Sequence, residues 1–273
     1  MPPKLGIVAG RGELPAHLLQ ACRVTGREVF VLAIKHETDE GLVEGVSHEW
    51  VGLGAVGKGM ELLHEAGVEE LVLAGPVTLP PISSLRPDAR AVKFLAKVGK
   101  AALGDDGLLS AVIREFESEG FRVVGADDIL ADILATPGPF GAIAPDEAAL
   151  SDIARGVAVA RVLGALDVGQ AVVVQHGIVL GVEAAEGTDA LLRRCKALGQ
   201  GGPGGVLVKV KKPMQERRVD LPAIGPRTVP AVADAGLRGI AVEAGGALVI
   251  DRKGVIEAAD AAGLFIVGIE GGQ

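Results

Sequence analysis

A short basic segment of the chain carries the residue types that phosphate chemistry requires. Residues 209–225 follow a predicted strand and contain Asp220 between two apolar neighbours, Val219 and Leu221. Prolines interrupt the segment, so a helix cannot continue through it and an irregular loop is expected. A loop at a strand end can direct several cations at a phosphorylated ligand. The candidate substrate-binding side chains of this loop are Lys209, Lys212, Gln215, Arg217 and Arg218.

Asp220 is the candidate catalytic residue of the loop. A carboxylate that is fixed beside cations can hold a metal ion or orient a water molecule in phosphoryl chemistry. Most charged segments, however, are solvated surface. In that alternative Asp220 only pairs with Arg217 or Arg218, and the loop has no chemical role. The residues by themselves leave both interpretations open.

A second group of polar residues lies where a predicted strand is followed by a predicted helix. Glu183 ends the strand, Glu186 follows it, and Thr188 begins the helix. In the simpler interpretation Thr188 is the N-cap of that helix and nothing more. In the functional alternative the helix N-terminus binds a phosphate, and Glu183 and Glu186 bind Mg²⁺ together with Asp220. Glu243 ends a later predicted strand in a similar way.

Two glycine-containing turns in the first half of the chain are typical of strand ends that bind anions. Gly10 and Gly12 lie between the first predicted strand and its helix, and Gly75 and Val77 follow a later strand. Glycines there let backbone N–H groups approach a ligand. The spacing differs from the dinucleotide fingerprint, because residues 14–15 occupy the place of the third glycine and the second predicted strand ends in basic residues. The expected ligand is therefore a mononucleotide or a sugar nucleotide, and the structural alternative is a plain tight turn.

The elements that must position these residues alternate between strands and helices. In the first half, this alternation predicts a parallel sheet with crossover helices. The predicted strands are 5–9, 28–34, 70–74 and 121–124, and the predicted helices are 14–25, 57–66 and 108–119. The fold class is therefore α/β, with a Rossmann-like parallel-sheet domain over residues 1–135.

A proline- and glycine-rich segment separates this domain from the rest of the chain. Residues 136–145 contain three Pro and two Gly without periodicity, which predicts a linker. Residues 146–273 then predict a second, mixed α/β domain with a hairpin around His176 and Gly177. Its predicted helices are 146–163, 188–198, 228–235 and 253–262, and its predicted strands are 171–175, 178–183, 206–210, 239–243, 248–251 and 264–269.

The composition excludes several classes of protein. Aromatic residues make up 3% and the net charge is −8, which argues against nucleic-acid binding because both stacking platforms and basic surface are scarce. A zinc site is not expected, because neither the two cysteines, Cys22 and Cys195, nor the five histidines have the spacing of metal ligands. Two lone cysteines are typical of a protein in the reducing cytoplasm, which is the expected location. No apolar segment reaches the roughly 18 residues of a spanning helix, and no signal segment is recognisable.

Several blocks of the chain resemble the LpxI-type UDP-2,3-diacylglucosamine diphosphatases of lipid A biosynthesis. The Glu-Gly-Thr-Asp block that begins at Glu186 and the Asp-Leu-Pro block that begins at Asp220 are the specific ones. The resemblance extends over nearly the whole chain. The similar blocks lie at residues 5–15, 104–109, 116–121, 166–174, 182–190, 212–225 and 241–245.

This resemblance implies an enzyme that hydrolyses the pyrophosphate of UDP-2,3-diacylglucosamine to UMP and 2,3-diacylglucosamine 1-phosphate (lipid X), with Mg²⁺ as cofactor. The family's essential aspartate corresponds to Asp220. The first domain is implied to hold the UDP side, and the second to hold the lipid and the catalytic residues. A homodimer with exchanged C-terminal domains and transient contact with the cytoplasmic face of the inner membrane are also implied.

Two other classes compete with this expectation. A non-catalytic sugar-nucleotide-binding or regulatory protein would keep the glycine-rich turn but need no fixed acid in the basic loop. A nucleotide-sugar dehydrogenase would require the dinucleotide fingerprint that the first turn lacks.

Overall fold

A computed structural model describes residues 2–78, 85–98, 105–213 and 215–271, and at residues 98, 105 and 106 it describes the backbone alone. The chain forms two compact units. The first comprises Met1–Ala131 with Glu216–Val219, and the second comprises Asp132–Gln215 with Asp220–Gln273. Each unit combines helices with a sheet, which confirms the α/β class and the mixed character of the second domain.

The sheet of the first unit is parallel throughout its described strands. Its order is β3-β2-β1-β4-β5, the order of a Rossmann fold, in which the strand sequence reverses between β1 and β4. The strands are β1 Leu5–Ala9, β2 Val29–Ile34, β3 His48–Val51, β4 Glu70–Ala74 and β5 Arg122–Val123. The helices are α1 Leu14–Thr25, α2 Val56–Glu65, α3 Ala89–Val98 and α4 Asp105–Ser118, with 3-10 turns at Glu40–Val43 and Ala126–Asp128.

Continuous apolar strands place this sheet in the core. Leu5 and Ile7 of β1 and Leu71 of β4 are fully buried, as expected for parallel strands that are covered on both faces. Leu63 of α2 and Ile113 of α4 pack against the sheet in the same cluster as Leu71. Burial of these side chains fixes β1 and β4, the two strands that are followed by the glycine turns.

The second unit contains a mixed sheet of order β6-β13-β11-β9-β7-β8 within the described residues. The strands β9, β11 and β13 are parallel, whereas β6, β7 and β8 run antiparallel to their neighbours. The strands are β6 Gly138–Pro139, β7 Ala171–Gln175, β8 Ile178–Val182, β9 Val206–Lys209, β11 Gly239–Glu243 and β13 Phe265–Ile269, and a separate parallel pair joins β10 Ala223–Ile224 to β12 Leu248–Val249. The helices are α5 Glu147–Ala165, α6 Thr188–Cys195, α7 Thr228–Asp234 and α8 Arg252–Ala262, with a 3-10 turn at Lys196–Leu198.

Helices cover both faces of this second sheet. Val172 and Val174 belong to a cluster with α5, whereas Val173 belongs to a cluster with α6, α7 and α8. This alternation follows from the period of two along a strand. None of the helices in the described ranges is both long and apolar enough to span a lipid bilayer.

The predicted hairpin around residues 176 and 177 is present. His176 and Gly177 have φ angles of 52° and 75°, the left-handed conformation that two-residue hairpin turns require. The buried carboxylate of Asp152 accepts hydrogen bonds from both backbone N–H groups, at 3.1 and 2.7 Å. Helix α5 therefore fixes the turn between β7 and β8.

The segment interpreted as a linker is bonded to the second unit. The backbone N–H of Phe140 donates to Ile266 O at 2.9 Å, and that of Ala142 donates to Asp260 Oδ1 at 2.8 Å. Residues 138–139 form β6 at the edge of the sheet, where proline is tolerated because its missing N–H faces away from the ladder. Gly138 and Pro139 of this segment therefore form an edge strand of the second sheet.

Candidate functional site

The basic loop leaves the second sheet at the carboxyl ends of its parallel strands. Lys209 is the last residue of β9, and Glu243 is the last residue of β11. Because β7 runs antiparallel to β9, Ala171 pairs with Lys209 and the preceding residue, Gln170, lies at the same edge. Ligands of open α/β sheets bind at this edge.

The carboxylate of Asp220 is held in place by Gln215. Gln215 Nε2 donates to Asp220 Oδ2 and to Gln170 Oε1, each at 2.8 Å. The backbone N–H of Lys212 donates to Gln215 Oε1 at 3.0 Å. Gln215 is buried and Asp220 is half-buried, so the predicted catalytic carboxylate has a defined orientation.

Glu183 anchors the same network from the end of β8. Its Oε1 accepts a hydrogen bond from the Thr188 hydroxyl at 2.5 Å, and its Oε2 accepts one from the Gln170 N–H at 3.2 Å. The prediction that Thr188 caps its helix is wrong, because Gly187 is the N-cap of α6 and Thr188 is the first helical residue. The Thr188 hydroxyl faces Glu183, which leaves the carboxylate well bonded and buried.

The two lysines of the predicted site are both buried and bonded. Lys209 Nζ donates to Ala223 O at 2.9 Å, and Lys212 Nζ pairs with Asp167 Oδ1 at 2.6 Å. Burial lowers the pKa of the Lys209 ammonium, against the opposing effect of the Glu183 charge. The second unit therefore brings Asp220, Gln215, Glu183, Lys209 and Lys212 to one edge.

The two arginines of the basic loop lie in Glu216–Val219, the segment that counts with the first unit. Arg217 pairs with Asp127 at 2.8 Å, and Arg218 pairs with Glu117 at 2.6 Å. The hydrogen bond to Glu216 raises the pKa of Arg218. Carboxylates thus already neutralise both guanidinium groups, and phosphate binding by them stays a prediction.

The glycine turns of the first unit meet at the point where its strand order reverses. The Gly10 N–H donates to Ala74 O at 2.8 Å, and the Arg11 N–H donates to Pro76 O at 3.0 Å. A Cβ atom on Gly10 would lie 2.6 Å from Pro76 O, and one on Gly75 would lie 2.1 Å from Arg11 O. Only glycine lets the two turns approach so closely, at the crevice where doubly wound sheets bind their ligands.

The matches with known proteins cover both units. The LpxI N-terminal domain matches residues 4–133, and the LpxI C-terminal domain matches residues 136–267. The chain belongs to the LpxI family. A relative from Caulobacter vibrioides (strain ATCC 19089 / CIP 103742 / CB 15), the UDP-2,3-diacylglucosamine pyrophosphatase LpxI, is 43% identical over an alignment of 274 positions, which covers 98% of each chain. The resemblance inferred from the sequence blocks is confirmed.

In this LpxI-family chain the three predicted metal ligands are not grouped. Glu186 pairs with Arg194 at 2.8 Å, and both carboxylate oxygens of Glu183 accept hydrogen bonds. In the part of the chain that the structure describes, no three His, Cys, Asp or Glu side chains are placed to hold one metal ion. Mg²⁺ commonly takes one or two carboxylates together with substrate phosphates, so a magnesium site centred on Asp220 stays a prediction.

Sequence reasoning missed an acidic residue at the first-unit crevice. Glu37 lies three residues beyond β2, and its Oε2 accepts from the Thr78 N–H at 3.1 Å and pairs with Arg11 Nε at 3.0 Å. The Arg11 guanidinium also donates to the Thr78 hydroxyl. The two residues that directly follow the strand, Lys35 and His36, are basic, and the acidic residue comes only after them. Gly12, with φ of 88°, and Val77, whose Cγ2 would lie 2.9 Å from a Cβ on Gly10, border this cluster.

Proposed function

We propose that this protein hydrolyses the pyrophosphate bond of UDP-2,3-diacylglucosamine to UMP and 2,3-diacylglucosamine 1-phosphate (lipid X), a step of lipid A biosynthesis. The observation that carries the proposal is the oriented carboxylate of Asp220 at the carboxyl edge of the second sheet. It is supported by the near full-length similarity to a UDP-2,3-diacylglucosamine pyrophosphatase.

The proposed reaction places a water oxygen on the phosphorus atom nearest the sugar. A new P–O bond forms, the bond to the bridging oxygen breaks, and UMP leaves while the sugar keeps a phosphate. Asp220 orients the water or holds the metal. The candidate cations for the negative charge that develops are Lys212, which would share its charge with Asp167, and the buried Lys209. We propose that the crevice at Gly10, Gly12, Gly75 and Val77 receives the nucleotide.

The donor set of the site suits Mg²⁺. All the predicted ligands, Asp220, Glu183 and Glu186, offer carboxylate oxygens, the class of donor that this ion prefers. Asp220 is the first candidate, since Glu183 and Glu186 would have to exchange hydrogen-bond or ion-pair partners. When bound, the ion would neutralise pyrophosphate oxygens and lower the cost of the charge that accumulates on them.

Removal of divalent cations should therefore stop turnover. In excess EDTA after desalting, release of UMP should fall to background and return when Mg²⁺ is added in excess. A thermal unfolding curve in the same EDTA buffer controls for loss of the fold. Full turnover in EDTA would rule out the metal requirement.

We further propose that the protein is a homodimer through exchanged C-terminal domains, and that it acts in the cytoplasm with transient contact with the inner-membrane surface. The family resemblance is what supports both statements. Light scattering in dilute solution should give twice the mass of one chain. A mass of one chain at working concentrations would count decisively against the dimer.

The direct test of function uses the purified protein with UDP-2,3-diacylglucosamine and Mg²⁺. UMP and lipid 1-phosphate should appear in equal amounts. Binding of the substrate without any product would instead indicate a sugar-nucleotide-binding or regulatory protein. UDP as the released product would place the cleaved bond at the sugar and not in the pyrophosphate.

A further inference from the structure

The side-chain amide of Gln215 is fully engaged with protein groups. Gln215 is 6% exposed, its Nε2 bonds both Asp220 and Gln170, and its Oε1 accepts the Lys212 N–H. These partners fix which end of the amide carries the oxygen. A backbone N–H can only donate, and an ionised carboxylate can only accept. The NH₂ end must therefore face Asp220.

Gln170 connects this amide to the rigid part of the second unit. It directly precedes β7, and its own N–H is bonded to the buried carboxylate of Glu183. Asp220, in contrast, lies on an irregular loop whose conformation no ladder of backbone hydrogen bonds fixes. A bridge from a fixed sheet end to a loop carboxylate restricts how that carboxylate can rotate. Such supporting contacts hold catalytic groups in a productive geometry.

We infer that Gln215 is a positioning residue which aims the carboxylate of Asp220, and that it does not bind substrate. The inference rests on the proposed function in one respect, the catalytic role of Asp220. It replaces the sequence-based expectation that Gln215 contacts the substrate, because a buried amide whose donors are both in use has no group to offer to a phosphate. Charged side chains of the second unit that are bonded to members of this network include Asp167, the partner of Lys212, and Glu183, which accepts from the Gln170 N–H.

Two substitutions of Gln215 test whether it orients the carboxylate of Asp220 or only stabilises the fold. Gln215→Glu keeps the size of the side chain and the acceptor for the Lys212 N–H, but it has no donor for Asp220 once both carboxyl groups are ionised. Its kcat is therefore measured at alkaline pH, beside the wild type at the same pH. Gln215→Met removes the acceptor and the donor together. If Gln215 aims Asp220, both variants should lose at least about tenfold in kcat while KM stays within about twofold.

The opposite results would overturn the inference. A Gln215→Glu enzyme with wild-type kcat at alkaline pH would show that only the bond to the Lys212 N–H matters. A tenfold higher KM at unchanged kcat in both variants would restore Gln215 as a substrate ligand.

Gln175→Met is the matched control. Gln175 is another buried glutamine of the second unit, and its Nε2 donates to Gly201 O and Pro203 O at 3.0 and 2.9 Å. It ends β7, whereas Gln170 precedes that strand. Its replacement should lower the melting temperature and leave the kcat of the folded protein unchanged.

A measurement without substrate keeps the inference separate from the proposed function. In the ¹⁵N-labelled full chain, the side-chain NH₂ signals of Gln215 are assigned by their disappearance in Gln215→Met. Asp220→Ala should shift these signals, and no shift would show that the hydrogen bond is absent in solution. If the wild-type protein releases no UMP, the proposed function fails while the NMR result still decides whether Gln215 holds Asp220.

Discussion

Replacement of Asp220 by alanine should lower kcat by about 100-fold or more while KM changes little. The side chain sits at the carboxyl edge of the second sheet, and Gln215 orients it. An oriented carboxylate stabilises the transition state, so its loss lowers kcat. Groups other than Asp220 bind the substrate and the transition state equally, so KM changes little. Single-turnover release of UMP, with enzyme in saturating excess over substrate, measures the effect on the chemical step.

The alternative for Asp220 is a surface ion pair with an arginine of its loop. Arg217 and Arg218 each bond to a carboxylate, Asp127 and Glu117, and the kinetic measurement decides between the two roles of Asp220. A suitable control is Asp234→Ala, which removes an exposed ion pair with Lys196 and should leave activity intact. A well-folded Asp220→Ala protein that retains more than about a tenth of wild-type kcat, a barrier increase below ~1.4 kcal/mol, would remove Asp220 from the catalytic residues.

Replacement of Gly75 by alanine should destabilise the first unit by about 3 kcal/mol or more. The φ angle of Gly75 is 86°, and a Cβ atom there would lie 2.1 Å from the carbonyl oxygen of Arg11. Backbone atoms on the opposing turn cannot move aside as a flexible side chain can. The turns after β1 and β4 would have to separate, which would also disturb the proposed nucleotide crevice. Urea unfolding gives the change in free energy.

Gly120 provides the control for the backbone conformation alone. Its φ angle of 92° is close to that of Gly75, but a Cβ atom at Gly120 would meet no described atom within 4 Å. Gly120→Ala should therefore cost only the left-handed conformation, about 1 kcal/mol. Equal losses at Gly75 and Gly120 would show that the close approach of the two turns contributes nothing.

Elements with strong apolar patterns could be predicted from the sequence, and weakly patterned ones could not. Residues 14–25 are predicted as a helix and form α1 with the same bounds. The strand β3 could not be predicted from the sequence. Val51 is its one buried residue, so the strand shows no alternation of apolar and polar residues. The helix α3 is not among the predicted helices although its sequence is amphipathic, so the strength of the apolar pattern does not account for it. The sequence also predicts that one residue of the pair Asp105 and Asp106 caps the helix that follows them. Their side chains lie outside those that the structure describes.

The individual residues of the site could be predicted better than their partners. Asp220 is recognisable because it lies beside cations in the sequence, and Glu183 is recognisable because it lies at the end of a predicted strand. The bond from Gln215 to Gln170 joins residues 45 positions apart, and it depends on the antiparallel pairing of β7 with β9. The bond between Thr78 and Glu37 spans 41 positions across the first sheet. Local patterns carry no information about such pairings.

The position of β6 has a consequence for how the second unit is made. Residues 138–139, near its beginning, pair with β13, which lies near its end and also pairs with β11. During synthesis, β6 and β11 are therefore made before β13, the strand with which both of them pair. Until residue 269 has been synthesised, an edge of β11 stays open to other chains. Because these pairings join distant parts of the chain, we expect this sheet to be completed late in folding, and an open edge of β11 before that point favours association.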